Sequence, residues 1–367
     1  MLVDYKSFIV ISLLVFIISS VIQIPYVFGR LFIMEAMIII MIGFIFIQRR
    51  INSINLFYFI VICFGILSSI LSSIFSGDLY VFNWIFYYIC IFCVLNFSYT
   101  LNKNNLIFIM VSFLIFHHIF QTIGLLLGVD NFGFGKQGLF YNPNNFGLFS
   151  AYAYFISLYL FKLSKYLKFS LFSLIYSLVL VVLSVSRLCL ILIFFSSISF
   201  FIYYYMYNKG YSRVHTYIFS ILILFLMSLL FNYGFFDLLL EKSSAVDNIG
   251  DVSNGRFDLW SKAISNINMW GNGVDYYKYE EHTAHNNYLH VGVVYGLFIL
   301  CFFIFSYIYI FLNCFYEFFR KKDFMSFMAL ISLIFVLIYW CFEVGSSLFI
   351  VWFTLLLIGV SKRNRFI

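Results

Sequence analysis

The sequence is short of charge. Only 10% of its residues are Asp, Glu, Lys or Arg, against 64% hydrophobic. A soluble domain carries about 25% charged residues, so a water-facing globular surface is excluded. Disorder is excluded by the same deficit, because it needs low hydrophobicity and high net charge. Proline is nearly missing, with Pro25 and Pro143 alone. No P-loop and no GxGxxG motif occurs, so nucleotide or dinucleotide use has no support. HExxH is absent, and the seven cysteines all fall in or beside apolar runs. Cys90 and Cys93 form a lone CxxC inside such a run, which reads as a buried apolar pair rather than a redox or zinc site.

Apolar runs of about twenty residues take the place of charge. That length crosses a bilayer as a helix, and the alternating pattern of a β-barrel is missing. The chain therefore reads as an all-α polytopic membrane protein, a single integral membrane domain over residues 1–367. Twelve spans are expected near 7–24, 31–47, 55–75, 79–98, 106–128, 145–161, 169–185, 188–206, 215–235, 287–312, 324–342 and 347–360. The first lacks a small-residue cleavage site and reads as a span, not a signal peptide. The net charge of +7 does not point to nucleic acid, because the basic residues sit in short loops between apolar runs.

The positive-inside rule orients these spans. With both termini cytoplasmic, Arg30, Lys136, Arg187, Lys242, Arg256, Lys262 and Lys278 lie outside, and the other 15 of the 22 basic residues lie inside. Two outer loops are long. Residues 129–143 are rich in Gly and Asn. Residues 236–284 form a large extracytoplasmic loop with eight acidic and four basic side chains. Loops of that length in a compact protein are usually functional, so the chemistry is expected to face outward.

A charge in hydrocarbon costs about 2.5–3.5 kcal/mol on insertion scales, so each polar residue near a span needs a reason. Arg187 follows LVLVVLSVS at an outer turn. It reads either as a snorkelling anchor or as an anion site helped by Ser184 and Ser186. His117 and His118 fall mid-span, where a neutral imidazole bonded to a neighbouring helix is the ordinary reading. Glu35 and Glu343 stand at outer span ends, either paired with an outer Arg or reaching water. Arg256 to Asn266 has the spacing of an amphipathic helix, with Phe257, Trp260, Ala263 and Ile264 on one face. That helix is expected to lie on the membrane surface or to cap the bundle. Gly271 and Gly273 flank a turn. His282, His285 and His290 then lead into the tenth span. His282 and His285 lie beside Glu280 and Glu281, but the spacing does not suit zinc. An imidazole near the membrane–water boundary suits a general base, which favours His285.

Four segments resemble, in order, the O-antigen ligase and polymerase superfamily. HTAHNNYLHVGVVYGL is similar to its outer-face H-N-x-x-L…G motif, through His285, Asn286, Leu289 and Gly296. GLFYNPNNFG is similar to its Gly…Pro-Asn segment, through Gly138, Pro143 and Asn144. SVSRLCL resembles its Ser-Arg turn, through Ser186 and Arg187, although Val185 stands where some members carry a second Arg. GRFDLW and WGNGVD resemble its Gly-Arg…Trp…Gly-x-Gly run, through Gly255, Arg256, Trp260, Gly271 and Gly273.

The resemblance implies a bacterial cytoplasmic-membrane glycosyltransferase needing no metal and no cofactor. Donor and acceptor would be oligosaccharides linked to undecaprenyl diphosphate. A flippase and a chain-length regulator are its candidate partners. Arg187 and Arg256 would hold the lipid diphosphate, and His285 would take the acceptor proton. Asn144, Ser186, Trp260, His282 and Asn286 would line the substrate site. A polymerase of repeat units, making O-antigen or capsule, is the favoured member. A ligase moving finished glycan to a lipid core or protein is the alternative, and a lipid-linked glycan transporter is the rival without chemistry.

Overall fold

The computed structural model describes residues 10–15, 56–77, 83–98, 101–127, 143–162, 166–207, 256–273, 276, 285–343 and 348–363. Every regular element among them is helical. In chain order they are α1 (Leu56–Ser76), α2 (Asn83–Ser98), α3 (Lys103–Leu126), α4 (Pro143–Lys162), α5 (Leu167–Ser184), α6 (Arg187–Tyr207), α7 (Arg256–Ser265), α8 (Asn287–Tyr295), α9 (Leu297–Lys321), α10 (Phe324–Phe342) and α11 (Leu348–Arg363).

Among the described residues, α3, α5, α6, α9 and α10 are long and apolar enough to cross a membrane. That establishes an all-α, membrane-embedded class, but five such helices are not twelve spans. The expected spans 31–47 and 215–235 lie outside the described residues, and 7–24 is described only at residues 10–15. The expected span 287–312 needs correction. It is two helices, α8 and α9, broken at Gly296, where φ is +96°. The apolar run VGVVYGLFIL carries no sign of this break, because its cause lies in another part of the chain.

The chain forms two compact units. The first comprises Met1–Leu106 and Gly255–Ile367. In it α11 packs against α2 and α10, α9 against α1 and α10, and α7 against α8. Small residues allow close approach, as is usual where lipid supplies no hydrophobic driving force between helices. A Cβ on Gly65 would meet the Tyr88 ring at 2.7 Å, and one on Gly359 would strike Ser98. Between α10 and α11, Ser332 and Thr354 hydroxyls bond at 2.6 Å. Helix ends are capped locally. The Asp323 carboxylate accepts the Ser326 amide at 2.7 Å to start α10. At the end of α9, buried Glu317 accepts from Arg320 at 2.7 Å.

The second unit, Ile107–Asn254, is built around α4. From Phe146 to Phe161 every residue of α4 is buried. Its Gly147, Ser150, Ala151, Ala153 and Ser157 keep the helix thin enough for α5 and α6 to pack closely on it. Lys162 at its end lies 4.1 Å from the centroid of the Tyr204 ring of α6. Exposed apolar side chains recur every three or four residues: Ile115, Ile119 and Ile123 on α3, Phe172, Ile175 and Val179 on α5, Ile191, Phe194 and Ile198 on α6. In water such stripes would be a liability. Against lipid tails they are the solvent-facing surface.

Candidate functional site

The first unit gathers three of the residues singled out in the sequence. α7 begins at Arg256, and its guanidinium Nη1 donates to the Phe342 carbonyl at 2.9 Å. Nη2 lies 3.5 Å from Glu343 Oε1. His285 Nδ1 lies 3.4 Å from the other oxygen of the same carboxylate, Oε2. Glu343 thus stands between a guanidinium and an imidazole that are 29 positions apart in the chain. Both contacts are at the long end of hydrogen bonding. The Glu343 side chain is 7% exposed, Arg256 29% and His285 41%, so the carboxylate is sunk and its partners reach outward.

Local structure fixes this arrangement. His285 sits at φ +45°, a conformation that L residues seldom adopt. The next residue, Asn286, is the N-cap of α8. Its Oδ1 accepts the amides of Tyr288 and Leu289 at 3.0 and 3.1 Å. Its Nδ2 donates to the Cys341 carbonyl at 3.1 Å. One amide side chain therefore ties the start of α8 to the end of α10, two residues before Glu343. Asn286 is placed here as a brace of His285.

The loop after α7 explains the break at Gly296. Asn268 Oδ1 accepts the amides of Trp270 and Gly271 at 2.9 and 2.5 Å. The Asn268 carbonyl accepts the Leu297 amide at 2.9 Å, and the amides of Asn272 and Gly273 donate to Val293 and Val294 at 2.9 and 3.0 Å. The Ser72 hydroxyl of α1 reaches the carbonyls of Trp270 and Tyr295. Loop backbone thus takes up groups that a continuous helix would have satisfied itself. A Cβ on Gly296 would lie 2.5 Å from the Trp270 carbonyl carbon, and one on Gly271 would be 2.6 Å from that of Tyr295. Gly271 and Gly273 both have positive φ, +88° and +81°, which is what the expected turn requires.

The face expected on α7 divides between packing and exposure. Ala263 is buried against Val293 of α8, with Trp260, Ile267 and Leu289 packed around them. Phe257 and Ile264 instead remain 66% and 60% exposed. α7 therefore leans on α8 through Trp260 and Ala263, giving Trp260 a packing position one turn from Arg256.

The second unit brings together the other candidates. α5 ends at Ser184, and Val185 turns the chain with φ +50°. Ser184 Oγ accepts the Ser186 amide at 3.3 Å. α6 then begins at Arg187, which is exposed. Ser186 is 2% exposed, and its hydroxyl has no partner among the described residues. Asn144 lies in the first turn of α4, where its carbonyl accepts the Cys189 thiol at 3.7 Å. A Cβ on neighbouring Gly147 would meet Cys189 Sγ at 3.0 Å and strike Ser184. So Asn144, Ser186 and Arg187 share one end of this unit, at the start of α6. A helix start with an arginine and an unused hydroxyl suits an anion.

His282 and Gly138 lie outside the described residues. Of the two readings given for Glu343, pairing with an Arg is the one seen, with Arg256 as the partner; its contact with His285 was not anticipated. The available signal was an acid at the end of an apolar run, in a chain with few acids.

No protein-family model matches the chain, and no curated protein sequence matches it.

Proposed function

We propose that the protein is a metal-independent glycosyltransferase of the bacterial cytoplasmic membrane, working on its outer face. In this reading it polymerises oligosaccharide repeat units carried on undecaprenyl diphosphate, making O-antigen or capsule. The orientation with both termini cytoplasmic belongs to the same proposal. The observation that carries it is Glu343, set between Arg256 and His285.

The chemistry follows from that arrangement. An acceptor sugar hydroxyl attacks C1 of the donor, and the C1–O bond to the diphosphate breaks. The proton passes to His285, and the electron pair leaves on the lipid diphosphate. Glu343, facing Nδ1, favours the tautomer with its proton there, which leaves Nε2 as the base. A positioned base contributes about 10²–10⁴-fold. Arg256 has five N–H donors, and two already serve Phe342 and Glu343. The other three have no partner among the described residues and could bind a phosphate, whose geometry a guanidinium matches. Within the second unit, considered by itself, Arg187 at the start of α6 is a separate anion-binding candidate. Direct attack inverts the anomeric centre.

The test is reconstitution of purified protein in vesicles with a synthetic undecaprenyl-diphosphate-linked repeat unit, read as a glycan ladder. A ladder is expected from the intact protein, and none from His285→Ala or Arg256→Ala. A full ladder from either variant removes that residue from the mechanism. Transfer only to a lipid core or a protein means ligase. Movement of the substrate across the vesicle with no new glycosidic bond means transporter.

A further inference from the structure

The interior of the second unit holds a polar chain outside the site just described. His118 Nε2 lies 2.7 Å from Ser173 Oγ on α5. The Ser157 hydroxyl of α4 lies 2.7 Å from the same Ser173 Oγ and 2.7 Å from the Ala153 carbonyl, and its one hydrogen serves one of the two. His117 and His118 meet Nδ1 to Nδ1 at 3.2 Å. His117 Nε2 lies 3.4 Å from Ser150 Oγ, whose hydrogen goes to the Phe146 carbonyl at 2.9 Å.

Counting hydrogens gives the chain a direction. With its hydrogen on Phe146, Ser150 can only accept from His117, so His117 carries its proton on Nε2. Its Nδ1 then accepts from His118 Nδ1–H, and His118 Nε2 accepts from Ser173. Both imidazoles are then fully used.

One turn further along the same helices stand Gln121, after His117 and His118 on α3, and Ser177, after Ser173 on α5. Their chain neighbours Thr122 and Tyr176 hydrogen-bond at 2.6 Å, so α3 and α5 touch at this level. Gln121 and Ser177 are both 0% exposed. Neither atom of the Gln121 amide has a partner among the described residues, and neither has Ser177 Oγ. Three such atoms at one level of a packed helix pair are unusual, because buried polar side chains nearly always find partners. The histidines cannot serve them, having no capacity left.

We propose that this level is a buried hydration site, where ordered water bridges the Gln121 amide and the Ser177 hydroxyl. Water fits on three counts. It both donates and accepts, as an amide and a hydroxyl together require. It is small enough for a place closed to solvent. It needs no counter-charge, and neither side chain carries one. A buried water takes about three hydrogen bonds, which Gln121 and Ser177 can supply between them.

The experiment is water-edited solid-state NMR on the full chain in lipid bilayers, with the Gln121 side-chain amide assigned. Magnetisation transfer from water to that amide is expected, and it should fall at least twofold in Ser177→Ala. No transfer, or transfer unchanged in Ser177→Ala, overturns the proposal. Thermal unfolding of Gln121→Leu gives an independent reading. A bridged amide predicts a lower melting temperature for this variant. A raised one means that leucine has relieved a dry, unpaired amide, and the proposal fails.

Discussion

Replacing Glu343 by Gln tests the proposed site most directly. The substitution keeps the volume and one carbonyl oxygen but removes the charge. Oriented with that oxygen toward Arg256, the new amide presents N–H to His285 Nδ1. The imidazole then has to accept there, so its proton moves to Nε2 and the base is lost. In the Ser-His-Asp triad the same carboxylate-to-amide change costs about 10⁴ in kcat. Here the His285 contact is 3.4 Å and the imidazole is 41% exposed, so water partly substitutes for the carboxylate. A fall of about 10²–10³ in kcat is expected, with KM for the lipid donor within about threefold. Stability should change little. Hydrogen bonds to charged groups contribute about 1.5–3 kcal/mol each. These two are long and their donors are partly exposed, so about 1–2 kcal/mol in total is expected after screening. The assay is initial-rate glycan transfer in vesicles, repeated in a His285→Ala background. If the carboxylate acts through His285, Glu343→Gln adds nothing once the imidazole is gone. Full kcat in the single variant, or the same fold loss in both backgrounds, would refute the reasoning.

Other substitutions probe the scaffold. Gly296→Ala places a Cβ 2.5 Å from the Trp270 carbonyl carbon at a φ of +96°. Strain and overlap together should cost about 3 kcal/mol or more, seen as loss of the monodisperse peak in size-exclusion chromatography. Asn286→Ala removes the cap of α8 and the tie to Cys341, and should lower stability by about 1–2 kcal/mol. Asn286→Asp keeps the cap and should cost less; equal melting temperatures for the two would argue against capping. Gly147→Ala drives a methyl group toward Ser184 and Cys189. It should lower stability by about 1–3 kcal/mol by crowding the turn that carries Ser186 and Arg187, and an unchanged melting temperature would show that the turn gives way without strain.

Length, hydropathy and turn residues made most of the described helices legible. The apolar runs near 106–128 and 188–206 became α3 and α6 with ends shifted by only a few residues. Mid-span His118 does bond to a neighbouring helix, as its place in an apolar run suggested. The break at Gly296 was not legible. Nothing in VGVVYGLFIL distinguishes a helix-breaking glycine from a packing one until the Asn268–Gly273 backbone lies against it. The division of the α7 face was not legible for a related reason. Phe257 and Ile264 have the right spacing, but α8 covers only Trp260 and Ala263. Glu343 was visible as an acid closing a run. Its pairing with residues far earlier in the chain is a tertiary fact that no local pattern carries.

The strap from Asn268 to Gly273 holds the break in α8–α9 mostly through backbone atoms, with Asn268, Asn272 and three glycines as its chemical requirements. Anchorage and recognition are therefore uncoupled. Outward positions such as Phe257, Ile264 and the 49% exposed Met269 can change without loosening the strap. Substitutions at those positions would change what this face presents while Arg256, His285 and Glu343 stay in register.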